Sequence, residues 1–193
     1  STILNSSYLS KHYEEIISYC INLELDLECN SSFELAQHRS TQIKIVEIGS
    51  AGGITSIMFP KVITTDMRKC TGVTILLKSS HLPFDDNSID LIIVKDTLHH
   101  IPNIENHFSE VSRVLKVGGK IVYAEPNWNF ISKLVFKYLH PEPWDEKIDE
   151  WNFSSSDPMF SNQALPMIIF KRDLEKFNKL FPNLQVNVVS TPL

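Results

Sequence analysis

A chain of 193 residues, 42% hydrophobic and 21% charged, holds enough apolar material for one domain with a buried core. Its formal net charge of −5 argues against non-specific nucleic-acid binding, which needs a basic surface. No apolar run approaches the roughly 20 residues of a membrane span, no signal-peptide pattern opens the chain, and the three cysteines (Cys20, Cys29, Cys70) show no metal-ligand spacing, so a reducing, cytoplasmic setting is expected.

Residues 1–40 are polar and rich in Ser and Asn. Within them, Tyr8 to Leu23 places Ile16, Ile17, Tyr19, Cys20 and Leu23 near helical spacing, which predicts a helical N-terminal extension. From Ile43 the texture alternates between strand and helix. "IKIVEIG" is a continuous apolar strand of the kind found in a buried parallel sheet. "ITSIMF" allows only a very short helix, because Pro60 biases Phe59 away from helical geometry. "KVITTD", "GVTILL" and "IDLIIV" read as the second, third and fourth strands. "IENHFSEVSRVL" carries Ile104, Phe108, Val111, Val114 and Leu115 on one face of a helix, and "KVGG" is its expected stop. "KIVYAEP" is a fifth strand. This order predicts an α/β fold, a Rossmann-like, mostly parallel sheet flanked by helices on both faces.

Residues 127–170 break the rhythm and read as an insertion after strand five. Asn127, Trp128 and "FISKLVFKYL" suggest an aromatic-faced helix; a long segment rich in Pro, Trp and acids follows. A helix from Lys171 to Leu180 and a sixth strand from Leu184 to Thr191 close the chain. The expected organisation is a single domain: extension 1–40, core 43–126, insertion 127–170.

The loop "GSAGG" after the first strand lacks the third small residue of a dinucleotide fingerprint, since Ile54 stands there. Asp66 ends the second strand, where an acid suits the paired hydroxyls of a ribose, and Met67 beside it suits a flat base. Both nicotinamide and S-adenosylmethionine sites use an acid in that position, so Asp66 alone does not choose between them.

Further along, "HLPFDDNSIDLIIVKDTLHHIPN" followed by "FSEVSRVLKVGGKIVYAEP" resembles the class I S-adenosylmethionine-dependent methyltransferases of the small-molecule type (methyltransferase type 11-like). "EIGSAGG" resembles that family's acid-x-Gly-x-Gly-x-Gly loop, and the resemblance covers about residues 43–126. It implies S-adenosylmethionine as cofactor, with Glu47, Gly49, Ala51 and Gly53 beside its cationic methionine end. It further implies Asp66 on the ribose, Met67 on the adenine face, Ser79 and Ser80 over the adenine, and Lys95 as a wall near the methyl group. Three departures stand out. Ala51 replaces the middle glycine, a small change if its φ is negative. Lys78 stands where the family commonly has an acid that reads the adenine amino group, and lysine cannot accept that hydrogen bond. No counterpart of the family's seventh strand is expected here: either the chain is trimmed or that edge is built otherwise.

Acceptor chemistry is expected at the same sheet edge. His99 and His100 follow strand four; one of them, His100 by preference, is the candidate general base. Glu125, His140 and Trp144 are candidate acceptor-side residues, the last two in an insertion expected to act as a lid that also carries Glu142, Asp145 and Trp151. The adjacent histidines lack the i, i+4 spacing of a helical metal pair, so no metal is expected. The expected function is methyl transfer to a small-molecule acceptor, with a glycan- or lipid-linked metabolite preferred. A non-catalytic binding or regulatory protein on the same fold, and a nucleotide-dependent oxidoreductase, are the competing readings.

Overall fold

The computed structural model describes residues 14–21, 36–38, 40–125, 130–154 and 160–188. Asn127 and Trp128, and the ends of the predicted first helix and last strand, lie outside them. The apolar run Ile45–Ile48 forms β1, buried along its whole length. It lies between β2 (Ile63–Asp66) and β4 (Ile89–Lys95) and is parallel to both. The two-residue β3 (Ile75–Leu76) flanks β2, and β5 (Leu115–Ala124) flanks β4, so the parallel sheet runs β3-β2-β1-β4-β5. Chain order reverses between β1 and β4. In an open α/β sheet that reversal opens a crevice at the C-terminal strand ends, where ligands bind.

Alternation along the strands sends side chains into two layers. Ile45, Leu91 and Ile93 meet Ile17, Cys20 and Ile21 of the helix at residues 14–21 (α1), together with Phe59 and Val62. Val46, Ile48, Ile92 and Val94 meet Val111 and Val114 of α3 (Ile104–Val114) on the other face. The helix between β1 and β2, α2 (Ile54–Met58), is as short as Pro60 requires. The turn before β4 is clamped to α3 by Arg113. Its guanidinium donates to the Phe84 and Leu82 carbonyls at 2.8 Å each, to Asp86 Oδ1 at 2.7 Å, and twice to the Glu110 carboxylate at 2.8 Å. The planar fork of arginine makes this multiple contact possible.

Three elements differ from the sequence reading. The third strand is shorter than "GVTILL", because Thr64 Oγ1 binds the Gly72 carbonyl at 2.6 Å and holds the preceding turn against β2. "KVGG" does not cap α3. Leu115 is already extended (φ −66, ψ 134) and pairs with Ile89, while Lys120 pairs with Leu91, so the glycines form a bulge within β5. Residues 184–188 form no strand.

Residues 144–153 and 164–170 of the insertion are packed rather than loose. The insertion contributes α4 (Phe130–Tyr138) and the turn Leu165–Met167 (α5), which widens into π geometry over Ile168–Arg172; α6 (Leu174–Leu180) follows it. Trp151 is fully buried with Leu165, Ile168, Phe177 and the α3 residue Phe108. Its indole donates to Asp173 Oδ2 at 2.8 Å, and Arg172 binds the carbonyls of Glu146 (2.7 Å) and Ile148 (2.9 Å). Trp151 thus fills a satellite core and closes no lid.

Candidate active site

The loop after β1 is held from below by one acceptor: the amides of Gly49 and Ser50 both donate to the Thr65 carbonyl at 2.9 Å. Gly49 has φ +77, and a Cβ there would lie 2.3 Å from Thr97 Oγ1. Gly53 has φ +68, and its Cβ would meet the Thr71 carbonyl at 2.4 Å. Both glycines are therefore demanded by neighbouring protein, whereas a Cβ on Gly52 would meet nothing within 4 Å. Ala51 has φ +46, a left-handed conformation that an L side chain resists, so its replacement of glycine is not the small change that a negative φ would make it. Ala51→Gly is expected to stabilise the protein by about 0.5–1 kcal/mol, because relief of this strain exceeds the added entropy of the unfolded chain. The check is the urea midpoint, which should rise at constant slope; an unchanged midpoint would contradict the strain.

Asp66 explains why Ala51 is held there. Its Oδ2 accepts from the Ala51 amide at 3.0 Å and its Oδ1 from the Arg68 amide at 2.8 Å, with the Arg68 guanidinium 3.6 Å away. The carboxylate, 6% exposed, thereby ties together the loops after β1 and β2. Glu47 is fully buried within β1 and accepts from Thr55 Oγ1 at 3.0 Å, anchoring α2. It lies on the α1 side, where burial first and Glu47 second push the Cys20 thiol up to about 12.

Across the crevice, Glu125 organises the segment after β4. Its Oε1 accepts from the amides of Thr97 (3.1 Å) and Leu98 (2.8 Å), and its Oε2 lies 2.8 Å from His99 Nδ1. His99 is 3% exposed in the 3-10 turn Leu98–His100. Burial works to lower its pKa, but the hydrogen bond and charge of Glu125, followed by Glu142 and Asp96, outweigh it and hold the group above its ordinary value. His99 Nε2 lies 3.0 Å from Gln163 Nε2 and 3.4 Å from Glu142 Oε2. His100 stacks beside it with ring centroids 4.5 Å apart; its Nδ1 is 3.3 Å from the Phe160 carbonyl and its Nε2 is 3.8 Å from Glu142 Oε1. Burial, then the neighbouring His99, lowers the His100 pKa. For Glu142, burial is outweighed by Gln163, the two histidines and His140, and its pKa is lowered.

Residues 46–123 match the family model described as a methyltransferase domain. The match runs from β1 into β5 and ends before the insertion. The demethylmenaquinone methyltransferase of Staphylococcus epidermidis is 30% identical over 105 residues, covering 49% of this chain and 44% of that protein. A ubiquinone/menaquinone biosynthesis C-methyltransferase of Brucella canis is 32% identical over 75 residues, covering 39% of this chain and 24% of that protein. The chain thus spans less than half the length of these curated relatives. A solved structure from Thermotoga maritima, described as an S-adenosylmethionine-dependent methyltransferase and possible histamine N-methyltransferase, is 18% identical with a TM-score of 0.46, covering 66% of this chain and 59% of that one.

Within the matched stretch, Gly49, Ala51, Gly53, Asp66 and Met67 gather at the ends of β1 and β2, with Met67 49% exposed. Ser79 is half-buried beyond β3, in the stretch that begins at the exposed Lys78. Lys95 ends β4 and pairs with Asp96. Glu125, expected to face an acceptor, has both oxygens engaged by its own chain. His140 Nδ1 accepts the Glu142 amide at 3.2 Å, and Trp144 packs on the insertion core. Sequence reasoning missed Thr97, whose side chain fills the space beside Gly49, and Gln163, which touches His99; Thr97 lies within the stretch that carries the resemblance but was given no role, and Gln163 lies in no motif.

Proposed function

We propose that this chain transfers a methyl group from S-adenosylmethionine to a small organic acceptor bound on the histidine side of the crevice. The observation that carries the reading is Asp66. A carboxylate offers about four lone-pair positions, and two backbone amides leave capacity for the paired hydroxyls of a ribose. The surroundings fit that group: Gly52 lies open next to Ala51, whose amide the acid holds, and the Ser50 hydroxyl is buried with no hydrogen-bond partner among the described residues. Gly49, Ala51 and Gly53 shape the loop, and Glu47 beneath it adds negative charge suited to a cationic ligand. Met67 and Ser79 flank the base, and Lys95 walls the crevice. The cofactor supplies an electrophilic methyl group; the chain's part is to orient it, exclude water and accept a proton. His100 is the group for that last task, because its lowered pKa keeps it neutral and half-exposed at physiological pH.

The names of the curated relatives support a quinone-like ring as acceptor; nothing in the comparisons supports a glycan. The insertion would form the acceptor wall, held by the core it shares with Leu98 and α3. S-adenosylmethionine and its demethylated product should each raise the melting temperature, and labelled methyl should pass into an extract component. No shift at millimolar cofactor would overturn the reading; a shift without transfer would favour a binding protein on the same fold.

A further inference from the structure

His99, His100 and Glu142 come from two distant stretches of chain, yet one ligand atom from each lies within 4.8 Å of the others. We propose that they form a divalent transition-metal site of two imidazoles and one carboxylate on the acceptor side of the crevice.

The geometry is close to what such an ion needs. A tetrahedral ion with bonds of about 2.1 Å holds its ligands about 3.4 Å apart. His99 Nε2 and Glu142 Oε2 stand 3.4 Å apart, and His100 Nε2 and Glu142 Oε1 stand 3.8 Å apart. A small closing movement of the half-exposed His100 and Glu142 completes the set.

The support behind His99 is the second observation. Metal-bound histidines typically donate their other ring N–H to a carboxylate or carbonyl, which fixes the tautomer and strengthens the ligand. Glu125 Oε2 accepts from His99 Nδ1 at 2.8 Å, and Glu125 is itself fixed by two backbone amides. That tautomer leaves the Nε2 lone pair aimed at Glu142.

Gln163 is the third. Its amide nitrogen lies 3.0 Å from His99 Nε2 and also donates to Glu142 Oε2. The two N–H bonds of one amide thus serve the two acceptors that a cation would bridge. The amide occupies the electrophile's position and must turn aside when an ion enters. Side-chain exposures of 21% for His100 and 28% for Glu142 leave coordination positions open to water or to an acceptor oxygen. Two imidazoles and one carboxylate suit Zn²⁺, Fe²⁺ or Ni²⁺ rather than Mg²⁺, which demands oxygen ligands.

Only the site's use, polarising an acceptor oxygen, rests on the methyl-transfer reading; with an ion bound, His100 Nε2 is a ligand, and the ion takes the place of that residue's proton-accepting role. The test is equilibrium dialysis of the chelator-treated full chain against zinc, with excess magnesium present and bound metal counted by mass spectrometry. One zinc per chain is expected. Glu142→Gln and His100→Gln should each weaken binding by tenfold or more, and Glu125→Gln by about tenfold through His99. His81→Ala, at an exposed histidine elsewhere, should leave it unchanged. Circular dichroism confirms that each variant is folded. Absence of zinc from the native chain, or native affinity in folded Glu142→Gln or His100→Gln, overturns the site. Asp66→Ala should keep its zinc while losing cofactor, so failure of one reading is distinguishable from failure of the other.

Discussion

Glu125→Gln should lower stability by about 3 kcal/mol on the acid side of neutrality, the scale expected when one partner of a buried charge pair is removed, and by less as the pH rises. The reason lies in His99. Its folded pKa stands above its ordinary value of 6.5 because burial is outweighed by Glu125. A group raised in this way contributes stability that is fully present below the unfolded pKa and is lost as the pH climbs through the folded one. Glutamine keeps an oxygen for the Thr97 and Leu98 amides but removes the charge that holds the His99 proton. The gap between native protein and variant is therefore widest at low pH and narrows through and above neutrality. Urea unfolding at a series of pH values measures it directly. Parallel stability curves would show that the His99 proton is not linked to Glu125. Glu125→Ala should cost more than Glu125→Gln at every pH, since it also leaves both backbone amides without their acceptor.

What was legible in the sequence follows from how local each signal is. β1, β2, β4 and α3 were readable because Ile45–Ile48, Ile63–Asp66, Ile89–Lys95 and Ile104–Val114 carry their own apolar pattern and their own breakers. The β5 bulge was not, because Gly118 and Gly119 look the same past a helix end as within a strand; only the pairing of Leu115 with Ile89 decides. The strain at Ala51 was hidden for a similar reason, since Asp66, from the next strand, holds its amide. At the sheet edge, position alone made Glu125 look available to a ligand. The donors that engage it belong to Thr97, Leu98 and His99, and no periodicity connects β5 to that segment. The phase of His99 and His100 was unreadable because a single 3-10 turn has no amphipathic pattern. Glu142 and Gln163 reach the histidines only because Trp151, Arg172 and Asp173 fold the insertion onto α3.

Asp66→Ala should produce two separable losses. The first is structural: the Ala51 and Arg68 amides lose their acceptor, and for part-buried bonds of exposed residues the cost is about 1 kcal/mol, measured by unfolding without cofactor. The second is functional. Two ribose hydroxyls bound to a carboxylate contribute about 1.5 kcal/mol each at the low end for charged hydrogen bonds, so affinity for S-adenosylmethionine should fall about 100-fold. Titration calorimetry well below the variant's melting temperature isolates this loss, because the fraction unfolded there is negligible. Asp66→Asn divides the two further. Its one carbonyl oxygen can keep the Ala51 amide and with it much of the loop geometry, but the amide group cannot accept from both hydroxyls, so binding should remain weak while stability recovers. If Asp66→Ala is destabilised yet binds cofactor with native affinity, Asp66 serves only to join the two loops. The ribose would then have to be held by another group at the crevice, with the buried Ser50 hydroxyl the first to test.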